Sequence, residues 1–326
     1  MPNTLALERI LVTGGSGFIG QHLLRALVAL GNRPIATTRS LKGVRIADDL
    51  KTTVDWVEVD WIDPNSFAEL NWEPGPVSVF HLAGVRVPDS VENAYERNWQ
   101  GNVVVTENLL QALHQRWDLE RFVALGSAEE YGEIELPMKE TSLAQPVTSY
   151  GRSKARMTAM VKEWHRDAWV PAVVLRPFSV YGPGQPRQMF ISQAIDHAVA
   201  GEDFAMTEGQ QRRDLVYVSD VVSALLSVRP GCPVDRFGGH DINIGSGESR
   251  SLRQVAQMIW LLSGTEAELQ IGARPAPPEE LHDTWADISR ARELLNWEPR
   301  VDLATGLRAT IEWARTAESN TSPEYS

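Results

Sequence analysis

Residues 13–20 read TGGSGFIG. Gly14, Gly17 and Gly20 stand at every third position, after the apolar run ILVT (10–13) and at the head of GFIGQHLLRALVAL (17–30), a helical pattern that stops at Gly31. A strand that turns through glycines into a helix N-terminus is built to hold an anion. The first N–H groups of such a helix have no partner within it, and its dipole favours negative charge there. Gly14 suits a tight turn, Gly17 a close approach of backbone to a pyrophosphate, and Gly20 tight packing of helix on strand. A plain glycine-rich turn uses the same letters, but the strand–loop–helix order is the context a dinucleotide site requires. Gly14, Ser16, Gly17, Phe18 and Ile19 are therefore candidate cofactor contacts.

The alternation continues outward from this loop. PIATT (34–38), VDWVEVD (54–60), VSVFHLAG (77–84), RFVALGS (121–127) and VPAVVLRPF (170–178) read as strands. NAYERNWQGNVVVTENLLQAL (93–113) and SYGRSKARMTAMVKEWH (149–165) read as helices. This order predicts an α/β fold, a Rossmann-type doubly wound parallel sheet with right-handed crossovers. After residue 178 the pattern changes. SVYGPGQPRQ reads as a loop, and DLVYVSDVVSALLSV (214–228) holds a helix starting at Ser219 or Asp220. INIG (242–245) is a short strand, and SLRQVAQMIWLLSG (251–264) is a helix ending at Gly264. The expected division is a cofactor-binding domain over 1–178, a smaller C-terminal substrate-binding lobe over 179–315 with some chain exchanged back to the first domain, and a disordered polar tail over 316–326.

Composition narrows the classes. The chain has 326 residues, 43% hydrophobic and 23% charged, with a net charge of −12. That balance is ordinary for a globular protein and argues against a general nucleic-acid binder. There is no apolar run of about 18 residues, so no membrane partner is expected. MPNTLALERILVTGG carries no basic, then apolar, leader pattern. One cysteine, Cys232, leaves no disulfide framework and argues against a metal site built on cysteines. The expectation is a cytoplasmic protein with no metal.

The second strand ends in ATTRS, and no Asp or Glu lies between Arg33 and Gly43. An acidic residue here would hold the adenosine 2′-hydroxyl of NAD(H). Arg39 occupies the place instead, and a guanidinium pairs with a 2′-phosphate. NADP(H) is therefore favoured over NAD(H). The alternative is a solvated Arg39 with NAD(H) held by other contacts.

Residues 148–154 read TSYGRSK, placing Tyr150 and Lys154 at i and i+4, one turn apart on one helix face. A free phenol has a pKa of about 10, too high for a base at neutral pH, and a neighbouring ammonium favours its anion. The pair thus suits proton transfer beside hydride transfer. In isolation it also suits an ordinary packed tyrosine and a solvated lysine.

Taken in order, these motifs resemble the extended short-chain dehydrogenase/reductase family, in its nucleotide-sugar epimerase/dehydratase group, over nearly the whole chain. TGGSGFIG is similar to the family's cofactor loop, VDW (59–61) to its adenine-binding loop with Asp60 and Trp61, and HLAG (81–84) to the strand end beneath the cofactor. Asn98 matches a helix asparagine that supports the site. GSAEEYG (126–132) matches the strand carrying the catalytic Ser or Thr, and Tyr150 and Lys154 match the Tyr-x-x-x-Lys pair. RPFSVYGPGQ (176–185) and RRDLVYVSDVV (212–222) resemble substrate-lobe signatures. The resemblance implies Ser127, Tyr150 and Lys154 as catalytic residues. It adds Leu82, Ala83, Gly84 and Pro177 to the cofactor contacts. It implies Arg86, Ser127, Glu129, Ser179, Arg213 and Arg274 as substrate contacts, with Arg187 a weaker candidate. Ser179 stands where many relatives have Asn, and Thr38-Arg39 where many epimerases have an acid.

The implied substrate is a nucleoside diphosphate sugar, and the implied assembly a homodimer built on the helices around 93–114 and 149–165. GSAEEYG and ATTRS favour an NADP(H)-dependent reductase of a nucleotide-linked 4-keto-6-deoxysugar, with Tyr150 as general acid. An NAD(H)-dependent C4 epimerase comes next, then a 4,6-dehydratase using Glu129 as base. A redox-sensing Rossmann protein without turnover is the reading from a different class.

Overall fold

The computed structural model describes residues 9–42, 46–63, 66, 75–229, 231–275 and 283–319. The first half runs β1 (Arg9–Thr13), α1 (Phe18–Ala29), β2 (Ile35–Thr38), α2 (Asp48–Lys51), β3 (Asp55–Glu58), β4 (Pro76–His81), α3 (Ala94–Trp99), a π-helical turn (Gln100–Val104), α4 (Val105–Arg116), β5 (Asp118–Leu125), α5 (Ser149–Ala168) and β6 (Ala172–Pro177). The second half runs β7 (Ser179–Tyr181), α6 (Phe190–Ala200), β8 (Phe204–Met206), β9 (Arg212–Arg213), β10 (Leu215–Tyr217), α7 (Val218–Ser227), β11 (Asp241–Ile244), β12 (Arg250–Ser251), α8 (Leu252–Ser263), β13 (Leu269–Ile271), β14 (Asp283–Thr284), α9 (Ser289–Leu295) and α10 (Leu303–Ser319).

Seven of these strands form one parallel sheet in the order β11-β6-β5-β4-β1-β2-β3. Strand side chains alternate between the two faces. Ile10, Val12, Phe80, Val123 and Leu175 meet α1, α7 and α9 on one face. Leu11, Val79, Phe122 and Val174 meet α4 and α5 on the other. The central strands are apolar on both faces because both are covered. A third core, from α6, α8 and α10, underlies two small sheets, β10-β7 and β13-β8, and a further small sheet runs β12-β9-β14. Among the described residues no helix is long and apolar enough to cross a membrane.

The strand order reverses between β1 and β4, where Thr13 lies beside His81. In open α/β sheets the crevice at such a switch point is where ligands bind. Two glycines make the turn there possible. Gly14 has φ +67°, and a Cβ on it would lie 2.6 Å from the Ala83 backbone nitrogen. Gly20, on α1, faces the Gly14 carbonyl and the Gly15 backbone at a distance no Cβ tolerates.

Four expectations are corrected. SVYGPGQPRQ is not all loop: Ser179–Tyr181 pairs with β10, a strand short enough to hide in a Gly/Pro-rich stretch. The helix within 214–228 starts at Val218 with Tyr217 at the N-cap, not Ser219 or Asp220. Asp220 is buried instead, accepting the Val301 N–H at 3.0 Å. The helix read over 93–113 is interrupted by the π-helical turn. The tail expected over 316–326 begins inside α10, which continues to Ser319; residues 320–326 lie outside the described residues.

An exposed helical Gly→Ala change usually stabilises by about 1 kcal/mol. Gly20→Ala is expected to do the reverse, because its methyl enters the Gly14–Gly15 backbone. The unfolding free energy should fall by about 2 kcal/mol, read as a lower urea midpoint. A raised midpoint would contradict this packing.

Candidate active site

The floor of the crevice is a hydroxyl–imidazole relay. His81 is 1% exposed, with Nδ1 at 2.7 Å from Thr13 Oγ1 and Nε2 at 2.8 Å from Thr106 Oγ1. Burial, with the Lys154 charge adding to it, brings its pKa down to about 3. The neutral ring ties β1, β4 and α4 together, and Thr13 Oγ1 also accepts the Ala83 N–H at 3.2 Å. Above this floor α1 begins at Gly17 with no side-chain cap and no acidic residue in its first turn. Free N–H groups, a glycine cradle and no competing carboxylate fit a dinucleotide pyrophosphate.

At the end of β2 hydroxyls stand where a carboxylate is common. Ser16 Oγ donates to Thr38 Oγ1 at 3.4 Å, and Thr38 Oγ1 donates to the Ser40 carbonyl at 3.2 Å. Arg39 is exposed beside them. Asp60 is exposed and accepts the Ile62 N–H at 3.0 Å. Trp61 is 4% exposed, with its indole N–H on Thr37 Oγ1 at 3.1 Å and its carbonyl accepting from Asn108 Nδ2 at 2.9 Å, so it belongs to the core. Leu82 and Ala83 are half-buried and Gly84 exposed; a Cβ on Gly84 would sit 3.2 Å from Lys154 Nζ. Pro177 is half-buried at the end of β6.

Ser127, Tyr150 and Lys154 converge at the C-terminal ends of these strands. The Ser127 hydroxyl and the Tyr150 phenol share a hydrogen bond. Lys154 is 5% exposed, and its ammonium donates to the Leu125 carbonyl at 2.9 Å. Burial brings its pKa down to about 8, with Glu130 pulling the other way. The spacing of the pair predicts an ammonium that draws the phenol toward its anion. In the structure burial and the Glu129 charge raise the phenol well above its ordinary value, and the Ser127 hydrogen bond and the Arg86 charge offset only part of this. Tyr150 is held protonated.

Glu129 reaches the same cleft. Its Oε1 accepts from Arg86 Nε at 2.9 Å, and its Oε2 accepts from Thr148 Oγ1 at 3.1 Å. The Arg86 guanidinium also lies over the Tyr150 ring, 5.7 Å from its centre.

Beneath the cleft lie Glu130, Arg176, Tyr131 and Asn102, which the sequence pattern did not single out, and Asn98, which it did. Glu130 has no exposed surface; it accepts the Ser127 N–H at 2.8 Å and Arg176 Nε at 2.8 Å. Burial pushes this carboxyl above the usual range and Arg176 pulls it back. Arg176 also pairs with Asp241 and donates to the Tyr131 hydroxyl at 3.0 Å. Tyr131 in turn donates to Asn243 Oδ1 at 2.8 Å. Asn98 brackets Val87, accepting its N–H at 2.9 Å and donating to its carbonyl at 2.8 Å, and donates to Ser149 Oγ at 2.8 Å. Asn102 repeats the clamp on Val85 and Ser153, one turn on through the π-helical turn. The i,i+4 echo of Asn98/Asn102 with Ser149/Ser153 was the signal in the sequence.

The remaining candidates lie in the part built from the smaller sheets. Ser179 opens β7, its N–H on the Asp214 carbonyl at 3.0 Å. Arg213 is half-buried on β9 and donates to the Arg212 carbonyl at 3.0 Å. Arg274 is exposed just past β13. Arg187 is exposed, 3.8 Å from Asp196. Asp214, in the same RRD motif, is fully buried and accepts the Ser246, Gly247 and Ala286 N–H groups, so it fixes the fold.

The folded chain keeps His81 neutral, whereas an unfolded chain protonates it below a pH of about 6.5. Between there and pH 3 the unfolded state binds more protons, so this group makes stability fall as pH falls. In a proton NMR titration His81 is expected to show no transition between pH 8 and about 5. A midpoint near 6.5 would refute the relay.

Comparison with known proteins agrees with this geometry. The model of the NAD dependent epimerase/dehydratase family matches residues 10–245. YtcB of Bacillus subtilis, described as an uncharacterized UDP-glucose epimerase, is 30% identical over 94% of this chain and 97% of its own. The GDP-6-deoxy-D-mannose reductase of Pseudomonas aeruginosa is 29% identical over 94% of this chain and 97% of its own. The structure of UDP-glucuronic acid 4-epimerase from Bacillus cereus, in complex with UDP-glucuronic acid and NAD, superposes with a TM-score of 0.82 at 27% identity, covering 95% of this chain and 99% of that one. A glycine loop at the switch point, a Ser–Tyr–Lys cluster at the strand ends and a match over most of the chain place this protein in the NAD dependent epimerase/dehydratase family.

Proposed function

We propose that the protein is an NADP(H)-dependent reductase that converts the ketone of a nucleotide-linked 4-keto-6-deoxysugar to an alcohol. The observation that carries this reading is the end of β2, where Thr38 and the exposed Arg39 stand in place of a carboxylate. A guanidinium there favours the 2′-phosphate, and NADP(H) suits net reduction. The Pseudomonas relative's name is of this class.

The residues suited to hold the dinucleotide are Gly14 to Ile19, Arg39, Asp60, Leu82 to Gly84, Pro177 and Lys154. When bound, its nicotinamide supplies the hydride. Tyr150 gives its proton to the substrate oxygen as negative charge develops there, and Ser127 holds that oxygen by a hydrogen bond. Arg86 over the ring lowers the cost of the phenolate that remains, which recovers its proton from water. Arg213 and Arg274 are the candidates for the substrate's diphosphate, and Ser179 for its sugar. Glu129, engaged through both carboxylate oxygens, is not disposed to act as the base of a dehydratase.

A C4 epimerase is the second reading, favoured by the Bacillus subtilis relative's name. It needs tightly held NAD(H), with Tyr150 acting first as base. Acid denaturation of the purified protein and analysis of the supernatant separates the two. The expected result is NADP(H) or no nucleotide, with NADPH absorbance lost on addition of a nucleotide-linked 4-keto-6-deoxysugar. Stoichiometric NAD(H), with no NADPH oxidation by any such sugar, would overturn the reductase reading. Arg39→Asp should weaken NADPH binding about tenfold or more and leave NADH nearly unchanged. Equal losses for both would remove the cofactor argument.

A further inference from the structure

Glu129 is a feature of the cleft that reduction does not require. A carboxylate that points into a site holding a ketone is a potential base for the carbon next to that ketone, whose hydrogen the carbonyl makes acidic. Glu129 is well placed for that: it follows Ser127 in the capping turn and lies close enough to Tyr150 to raise its pKa. Its side chain keeps 22% of its surface exposed, so it is open to the cleft. Yet Oε1 is taken by Arg86 at 2.9 Å and Oε2 by Thr148 at 3.1 Å. Thr148 has a second task that fixes its position, accepting the Gly151 N–H at 2.9 Å as the N-cap of α5. Arg86 is 52% exposed at its side chain and lies over the Tyr150 ring on its other side.

We propose that Arg86 is a specificity-determining residue, whose ion pair with Glu129 keeps that carboxylate from removing the hydrogen next to the substrate's ketone and so confines the site to chemistry at the carbonyl carbon. This deepens the reductase reading and rests on it only in that a ketone is bound. The suppressed reaction is simple. The C–H bond beside the carbonyl breaks, its proton goes to Glu129 and its electron pair enters an enolate. Return of a proton from the carboxyl, after exchange with water, restores the ketone, and nothing is oxidised or reduced. Arg86 acts through Glu129 and is in this sense a positioning residue. Loss of a guanidinium that forms a charge-assisted hydrogen bond frees one carboxylate oxygen to accept a proton.

The reaction is read by deuterium exchange. A nucleotide-linked 4-keto-6-deoxysugar is incubated with the full-length protein in D2O without reduced cofactor, and deuterium next to the ketone is measured by mass spectrometry against a protein-free blank. Wild type is expected at the blank rate and Arg86→Met about tenfold or more above it. Arg86→Lys, which keeps a cation, should restore the low rate. Arg86→Met combined with Glu129→Gln should return to the blank. An Arg86→Met protein that binds the sugar and stays at the blank overturns the proposal. So does one that no longer binds it, since Arg86 is then a substrate anchor, and so does a wild type that already exchanges fast. Because no NADPH is consumed, the result stands apart from the reductase assay: a chain that exchanges as expected but never oxidises NADPH loses the reductase reading and keeps the restraint. Should Arg86→Met fail to fold, Arg86→Gln carries the same expectations.

Discussion

A carboxylate with no exposed surface lies directly under the Ser127–Tyr150–Lys154 cluster. Glu130 can stay there only because Arg176 meets one oxygen and the Ser127 N–H meets the other. Removing one partner of such a buried pair typically costs about 3–5 kcal/mol, because the other charge is left unanswered. The pair therefore fixes the turn after β5, and with it the direction in which Ser127 and Glu129 point. Glu130 also tempers the fall in the Lys154 pKa. Geometry and charge at the Ser127–Tyr150–Lys154 cluster both trace back to one buried ion pair.

The other half of the site rests on sterics. At the strand switch point the β1–α1 turn presses on the Leu82–Ala83 backbone with no room for a side chain at Gly14. The neutral His81 joins the two strands beneath it. Asn98 and Asn102 then pin the loop over residues 85–87 to Ser149 and Ser153 on α5. The cofactor cradle and the Tyr–Lys helix are thus held to one frame by amide clamps rather than by apolar packing alone, and amide hydrogen bonds demand more exact placement than dispersion contacts do.

Much of this was legible in the sequence because it is local. The glycine loop, the strand–helix alternation and the i,i+4 Tyr–Lys pair are short-range patterns, and the sheet follows from them. What escaped is long-range. Glu130 reads as one of two adjacent acids, yet one is buried against Arg176 and its neighbour faces the cleft. Trp61 sits in the expected loop but turns its ring inward. The protonated state of Tyr150 depends on how many neighbours desolvate it, which spacing does not encode. β7 escaped because a strand of three residues carries too little periodicity to stand out beside glycine and proline.

The last strand of the large sheet, β11, comes from a distant part of the chain and brings Asp241 and Asn243 with it. Arg176 needs Asp241, and Tyr131 needs Asn243. During synthesis the N-terminal strands can emerge and pair while these partners are still inside the ribosome. Until they arrive, Arg176 is a cation in an apolar sheet with half of its compensation, and the platform under Ser127 is unfinished. A chain cut short before β11 would keep the glycine turn between β1 and α1 and lack the two side chains that complete the platform under Ser127.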